Sequence, residues 1–161
     1  MSAAEDIIAT LGLSPLPREG GFFAPTFLST TCDVTGRPAG SAIYYLLAPG
    51  HFSALHRLKT EELWHFYAGG PVEMLQLKAE GRGELIRLGS DLLAGERPQV
   101  PVPAGIWQGA RLAPAATGPG FALLGCTLTP GWDERDFELG DRQNLTGRYP
   151  AWTDMICALT R

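Results

Sequence analysis

This chain predicts an all-β barrel or sandwich, and three observations carry the prediction. About nine short runs rich in β-branched and aromatic residues follow one another between residues 22 and 130. Turn formers separate them at close intervals, drawn from 20 glycines and 13 prolines. A length of 161 residues, 45% hydrophobic and 19% charged, suits one domain over residues 1–161 with a sizeable core.

The elements follow in order. SAAEDIIATLGL reads as a short helix: Ser2 and Glu5 have capping-box spacing, Ile7, Ile8 and Leu11 share a face, and Gly12 supplies the stop. Pro15, Pro17 and the Gly20–Gly21 pair end helical structure. FFAPTFLSTT and SAIYYLLAP read as strands about a turn at Asp33–Pro38. FSALHRL, ELWHFYA and VEMLQLKA follow, separated by short turns at Lys59–Thr60 and Gly69–Gly70–Pro71. ELIRLG, QVPVP, IWQGARL and FALLGCTLTP complete the series. Pro101 and Pro103 cannot donate to a ladder, which places QVPVP at a sheet edge. WDERDFELGDRQNLTGRYP is polar and irregular, and PAWTDMICALTR reads as a closing helix with Met155, Ile156 and Leu159 on its apolar side.

Composition narrows the partners. A net charge of -4 without a Lys/Arg cluster argues against nucleic acid. Apolar runs are strand-sized, so no membrane span is expected, and residues 1–13 lack a signal-peptide pattern. Cys32, Cys126 and Cys157 are odd in number, with no CxxC. They read as reduced thiols of a cytoplasmic protein.

The residues that suggest chemistry lie in GHFSALHRLKTEELWHFYAG. Strand alternation puts Ala54, His56 and Leu58 on one face, and Glu62, Trp64 and Phe66 on one face of the next strand. A hairpin at Lys59–Thr60 would set His56 and Glu62 side by side on one interior wall, extended by Trp64 and Phe66. There each would perturb the other's pKa. His65 points to the opposite face, His51 lies at a turn, and alternation does not decide between Tyr44 and Tyr45.

These residues resemble a known motif. Gly50, His56, Glu62 and Gly69 match the spacing G-x5-H-x-H-x3-E-x6-G of the cupin superfamily, with Leu58 in place of the second histidine. Pro103, Gly105 and Gln108 are similar to its second motif, P-x-G-x2-H, with Gln108 in place of the histidine. Glu19–Gly20–Gly21, VPAGIWQGA and Pro130–Gly131–Trp132–Asp133 ahead of Asp136–Phe137–Glu138–Leu139 narrow the likeness to cupin family 5. The chain departs from that family's His-Pro-Glu-Gly-Gly-Tyr pattern at Leu16–Pro17–Arg18–Glu19 and Phe22–Phe23.

The resemblance implies a cupin jelly-roll (double-stranded β-helix) barrel with short N- and C-terminal helices. It also implies a homodimer and a fold like the deoxysugar-nucleotide 3,5-epimerases, in which a barrel histidine oriented by an acid removes a proton beside a carbonyl. His56 would be that base, near neutral pH. Its orienting acid is Glu62, Asp133 or Asp136. Tyr45, Trp64, Phe66, Gln108 and Glu19 are the expected ligand-binding residues, and the partner is a small molecule. No cofactor or tightly bound metal is expected. His56, Glu62 and the amide oxygen of Gln108 are the donors on offer to a divalent ion. The expected activity is thus a metal-independent isomerase or epimerase on a sugar-like carbonyl metabolite, against a non-catalytic binder or a metal-dependent cupin enzyme.

Overall fold

Two antiparallel sheets face each other across one core, the jelly-roll arrangement expected. The computed structural model describes residues 2–114 and 118–161. It begins with α1 (Ala3–Leu11), β1 (Ser14–Pro15), β2 (Phe22–Leu28), β3 (Ser41–Leu47), β4 (Phe52–Arg57) and β5 (Glu61–Gly69). β6 (Val72–Leu77), β7 (Gly83–Leu88), β8 (Gln99–Val102), β9 (Trp107–Leu112), β10 (Ala122–Thr129) and β11 (Glu138–Leu139) follow, then α2 (Arg142–Arg148) and α3 (Thr153–Ala158). The six-stranded sheet runs β1-β2-β3-β10-β5-β8, and the five-stranded sheet β11-β4-β9-β6-β7.

Local chemistry explains the ends. The Glu5 N–H donates to Ser2 Oγ at 3.3 Å and the Ser2 N–H to Glu5 Oε2 at 2.7 Å, completing the capping box of α1. Gly12 closes that helix at φ 63°, a left-handed conformation that glycine adopts without steric cost. β8 is an edge strand, so its Pro101 costs no ladder bond on the open side, and Pro103 follows its end. In the tail, α2 interrupts the stretch read as irregular. Asp141 caps it by accepting from the Asn144 N–H at 2.8 Å, and Leu145 is its one buried residue. A seven-residue helix with a single apolar anchor has too little periodicity to stand out.

One correction matters for the site. β4 and β5 do not form a hairpin: β4 belongs to the five-stranded sheet and β5 to the six-stranded one. Lys59–Thr60 is a corner between sheets, so His56 and Glu62 look at each other across the interior rather than along one wall. Alternation fixes which face a side chain takes and leaves the partner strand open.

Three apolar layers result. Tyr45, Trp64, Met74 and Leu124 pack between the sheets. Leu55, Leu75 and Trp107, on the outer side of the five-stranded sheet, pack against Leu145, Ile156 and Leu159 of the C-terminal segment. Helix α1 covers Leu46 and Phe121 on the outer side of the other sheet.

Candidate functional site

A β-bulge builds the site. Ser53 pairs with Ala110 and His56 with Gln108, so Ala54 and Leu55 together stand opposite Gly109. The extra residue turns Ser53 as well as His56 inward and sends Leu55 out beneath the C-terminal helices. Simple alternation had set Ser53 apart from His56. The bulged backbone is fully used: the Ala54 N–H donates to Glu19 O at 2.8 Å and the Leu55 N–H to Leu159 O at 2.8 Å. The Gly140 N–H donates to Leu55 O at 2.7 Å, and Ala54 O meets His56 Nδ1 at 2.7 Å. Glycine at 109 keeps the bulge possible, since a Cβ there would lie 3.1 Å from both Leu55 N and Ser53 O.

That last contact of the bulge fixes the tautomer of His56. A carbonyl only accepts, so Nδ1 carries the hydrogen and the Nε2 lone pair faces the interior. The nearest carboxylate is Glu19, whose Oε2 lies 4.0 Å from Nε2. Ser53 Oγ donates to Glu19 Oε1 at 2.7 Å and aims the carboxylate. Glu19 sits on a loop with left-handed φ at Arg18 (66°), Gly20 (102°) and Gly21 (69°). The Tyr45 hydroxyl donates to Gly20 O at 2.8 Å, and Arg161 Nη1 donates to Arg18 O at 2.8 Å and Glu19 O at 3.3 Å. Tyr45 therefore helps to hold the loop that carries Glu19. Burial, then the charge of Glu19, pushes its phenol well above the ordinary value. Tyr44 lies on the outer face, edge-on to Tyr67.

Trp64 and Glu62 of the facing sheet join Gln108, the register partner of His56, in a different construction. Trp64 Nε1 donates to Gln108 Oε1 at 2.8 Å, and Gln108 Nε2 donates to Glu62 Oε2 at 2.5 Å. An indole N–H can only donate, so the amide must turn its oxygen to Trp64 and its NH2 to Glu62. Burial raises the Glu62 carboxyl above its ordinary range and Glu19 adds to the rise, against the opposing pull of His56 and the Gln108 hydrogen bond. The buried thiol of Cys126 is pushed well above its ordinary value by the same desolvation, with Glu62 next in weight. Phe66 lies half-buried against the core.

Asp133 is not part of this cluster, nor is Asp136, and the expectation of an orienting acid from the tail is corrected accordingly. The Asp133 side chain is held by Arg135, whose hydrogen bonds keep it ionised far below the usual carboxylate range. Asp136 pairs with Arg37 at 2.7 Å. What the same segment does contribute is Phe137, stacked on the His56 ring at 5.2 Å with 20° between planes. Arg18 lies 4.7 Å above Phe137 and Trp132 meets it edge-on at 5.9 Å. His56 is only 2% exposed beneath this cover. The pairing of Glu19 with His56, Ser53 and Phe137 went unread because bulges and loop docking leave no periodic trace. The one signal was a carboxylate beside two glycines.

Few metal donors converge at this site. The Gln108 oxygen already accepts from Trp64, and its NH2 faces Glu62. Leu58, at the second histidine position, is buried and offers no lone pair. Among the described residues no three His, Cys, Asp or Glu side chains are grouped to hold an ion.

Residues 5–140 match the family described as Cupin superfamily (DUF985). This chain belongs to that family. Two proteins are similar to this cupin over their full lengths. A Shewanella oneidensis protein solved by X-ray crystallography is 38% identical with a TM-score of 0.89, over 100% of this chain and 99% of that one. A hypothetical protein from Leishmania major is 30% identical with a TM-score of 0.87, over 99% of each chain. Oxalate decarboxylase from Bacillus subtilis is 15% identical with a TM-score of 0.57, over 91% of this chain and 37% of the decarboxylase, a likeness of fold alone. No curated protein matches the sequence. The finer likeness to epimerases is not among these findings.

Proposed function

We propose that this cupin binds a small carbonyl-bearing metabolite between its sheets and moves a proton on it, as a metal-independent isomerase or epimerase with His56 as base. One observation carries the reading: Ala54 O holds the proton of His56 on Nδ1, which leaves Nε2 free to accept one beside the Glu19 carboxylate. Nε2 takes the proton from the carbon next to the carbonyl, and the resulting imidazolium is stabilised by Glu19 at 4.0 Å. Glu62, biased by burial towards the neutral acid, returns a proton to that carbon from the facing sheet. Solvent exchange restores both groups, so protons balance over the cycle. Glu19 is the acid partner of His56, the role that the sequence left between Glu62, Asp133 and Asp136.

The saturated Trp64–Gln108–Glu62 relay favours a second reading, a non-catalytic binder in which these groups only orient a ligand. The test begins with a thermal-shift screen of carbonyl-bearing metabolites. Each stabilising compound is then incubated with protein in D2O and followed by NMR. Deuterium entering beside the carbonyl is expected with wild type and lost in His56→Gln. Exchange that survives in that variant overturns the base assignment, and stabilisation without exchange in wild type selects the binder.

A further inference from the structure

We infer that the cleft between the edge strands β7 and β8 is a second small-molecule site, one that takes an organic anion with an apolar body. The two sheets are bridged at one end of this cleft. Leu88 and Arg97 make an isolated bridge, the Arg97 N–H donates to Arg87 O at 2.8 Å, and the Gly89 N–H donates to Arg97 O at 3.0 Å. Beyond that bridge the strands part, leaving a cavity of about 660 Å³. This falls within the roughly 300–1,000 Å³ range of small-ligand pockets.

The lining has a built polarity. Ile86 and Val100 face the core side and give the cleft an apolar floor. Behind them Gln76, buried to 3%, donates from Nε2 to Pro101 O at 3.0 Å and ties the sheets together. Gln76 is the register partner of Gln108, and no residue of the His56 cluster lines the cleft. The site does not depend on the proton-transfer reading above.

Its charge runs against that of the chain. The whole protein carries -4, yet Lys78, Arg87 and Arg97 line the cleft against the single carboxylate of Glu84. Lys78 already pairs with Glu84, which leaves two guanidinium groups. Arg87 reaches Glu96 only at 3.7 Å. Arg97 donates to the carbonyls of Gly95 at 3.3 Å and Glu96 at 3.0 Å, and no carboxylate among the described residues pairs with it. The backbone bridge thus ties together the segments that carry Arg87 and Arg97 at this end of the cleft, their charges incompletely compensated, and an oxyanion bound there would supply a partner in the fork geometry that Arg favours.

Phenyl phosphate, which joins a dianion to an apolar ring, is the probe, with inorganic phosphate as the comparison. Both are titrated into the full chain and followed by amide NMR shifts at low salt. Saturable shifts centred on Ile86, Arg97 and Val100 are expected, with phenyl phosphate the tighter of the two. Arg97→Gln combined with Arg87→Gln should weaken binding at least about tenfold, the loss of one charge-assisted contact or more. Arg97→Lys guards against a folding failure, since it keeps the charge and should bind with intermediate affinity. His56→Gln should leave the affinity unchanged. The inference is overturned if phenyl phosphate gives no saturable shift, if the double variant binds as wild type does, or if His56→Gln abolishes the shifts and places the ligand in the interior.

Discussion

The two halves of the interior cluster are held in opposite ways. Between the sheets, Gln108 of β9 forms a relay with Trp64 and Glu62 of β5, in which its amide faces one donor and one acceptor. Opposite Gln108 on β4, Nε2 of His56 looks at Glu19 across 4.0 Å, beyond hydrogen-bond distance. The difference assigns the work. A hydrogen-bonded buried network fixes positions and is costly to break, whereas a base with no hydrogen-bond partner on Nε2 keeps a lone pair that another molecule can engage. The relay and the reactive pair thus adjoin through the β4–β9 register, with Gln108 opposite His56, and differ in how they are hydrogen-bonded.

The largest effect should come from breaking the scaffold. Gln108→Leu strips Trp64 of its acceptor and leaves Glu62 without its donor, both inside the core. We expect a loss of about 3–5 kcal/mol, because two buried polar groups become unpartnered at once. Glu19→Gln, which keeps an oxygen for Ser53, should cost about 1 kcal/mol or less while eliminating deuterium exchange. Urea unfolding of the two variants side by side measures the gap. Equal destabilisation would mean that Glu19 is as structural as Gln108 and that the contrast is illusory.

How far this division could be read from sequence depends on regularity. Glu62, Trp64 and Gln108 lie on unbulged stretches of β5 and β9, so period-two alternation set them facing inward, and the motif spacing marked Gln108 as a site position. The jelly roll and its terminal helices were legible for the same reason: repeated short strands, turn formers and a capped first helix. The reactive half was not. His56 was found by spacing, but its partner depends on an extra residue in β4, on Gly109 opposite it, and on a loop with three left-handed residues. The hairpin expected at Lys59–Thr60 failed because a three-residue link, Leu58 to Thr60, can turn a corner between sheets as readily as it closes a ladder.

An intermediate effect should appear in the pH dependence. The folded-state pKa of Glu62 lies above its ordinary value near 4.5, chiefly through burial. The folded protein therefore binds more protons than the unfolded chain between that value and the raised one. Stability from this group is complete below the ordinary value and falls as pH rises through the window above it. The slope can reach about 1.4 kcal/mol per pH unit for one proton. Glu62→Gln should flatten it. Melting temperatures taken across the acidic range test this, and a wild-type profile that climbs with pH in the window while Glu62→Gln stays parallel to it would count against a buried neutral acid.

The smallest effect sharpens the boundary of the reactive half. Asp133 occupies the same segment as Phe137, which covers His56, yet its carboxylate is spent on Arg135 and on the Arg135 backbone N–H. Asp133→Asn removes a charge that His56 does not touch. Deuterium exchange by this variant should match wild type at every pH where both fold, and so should ligand-induced stabilisation. A drop like that of His56→Gln would show that the segment communicates with the imidazole through Phe137, and would extend the reactive half from two strands and a loop to the whole stretch that closes over it.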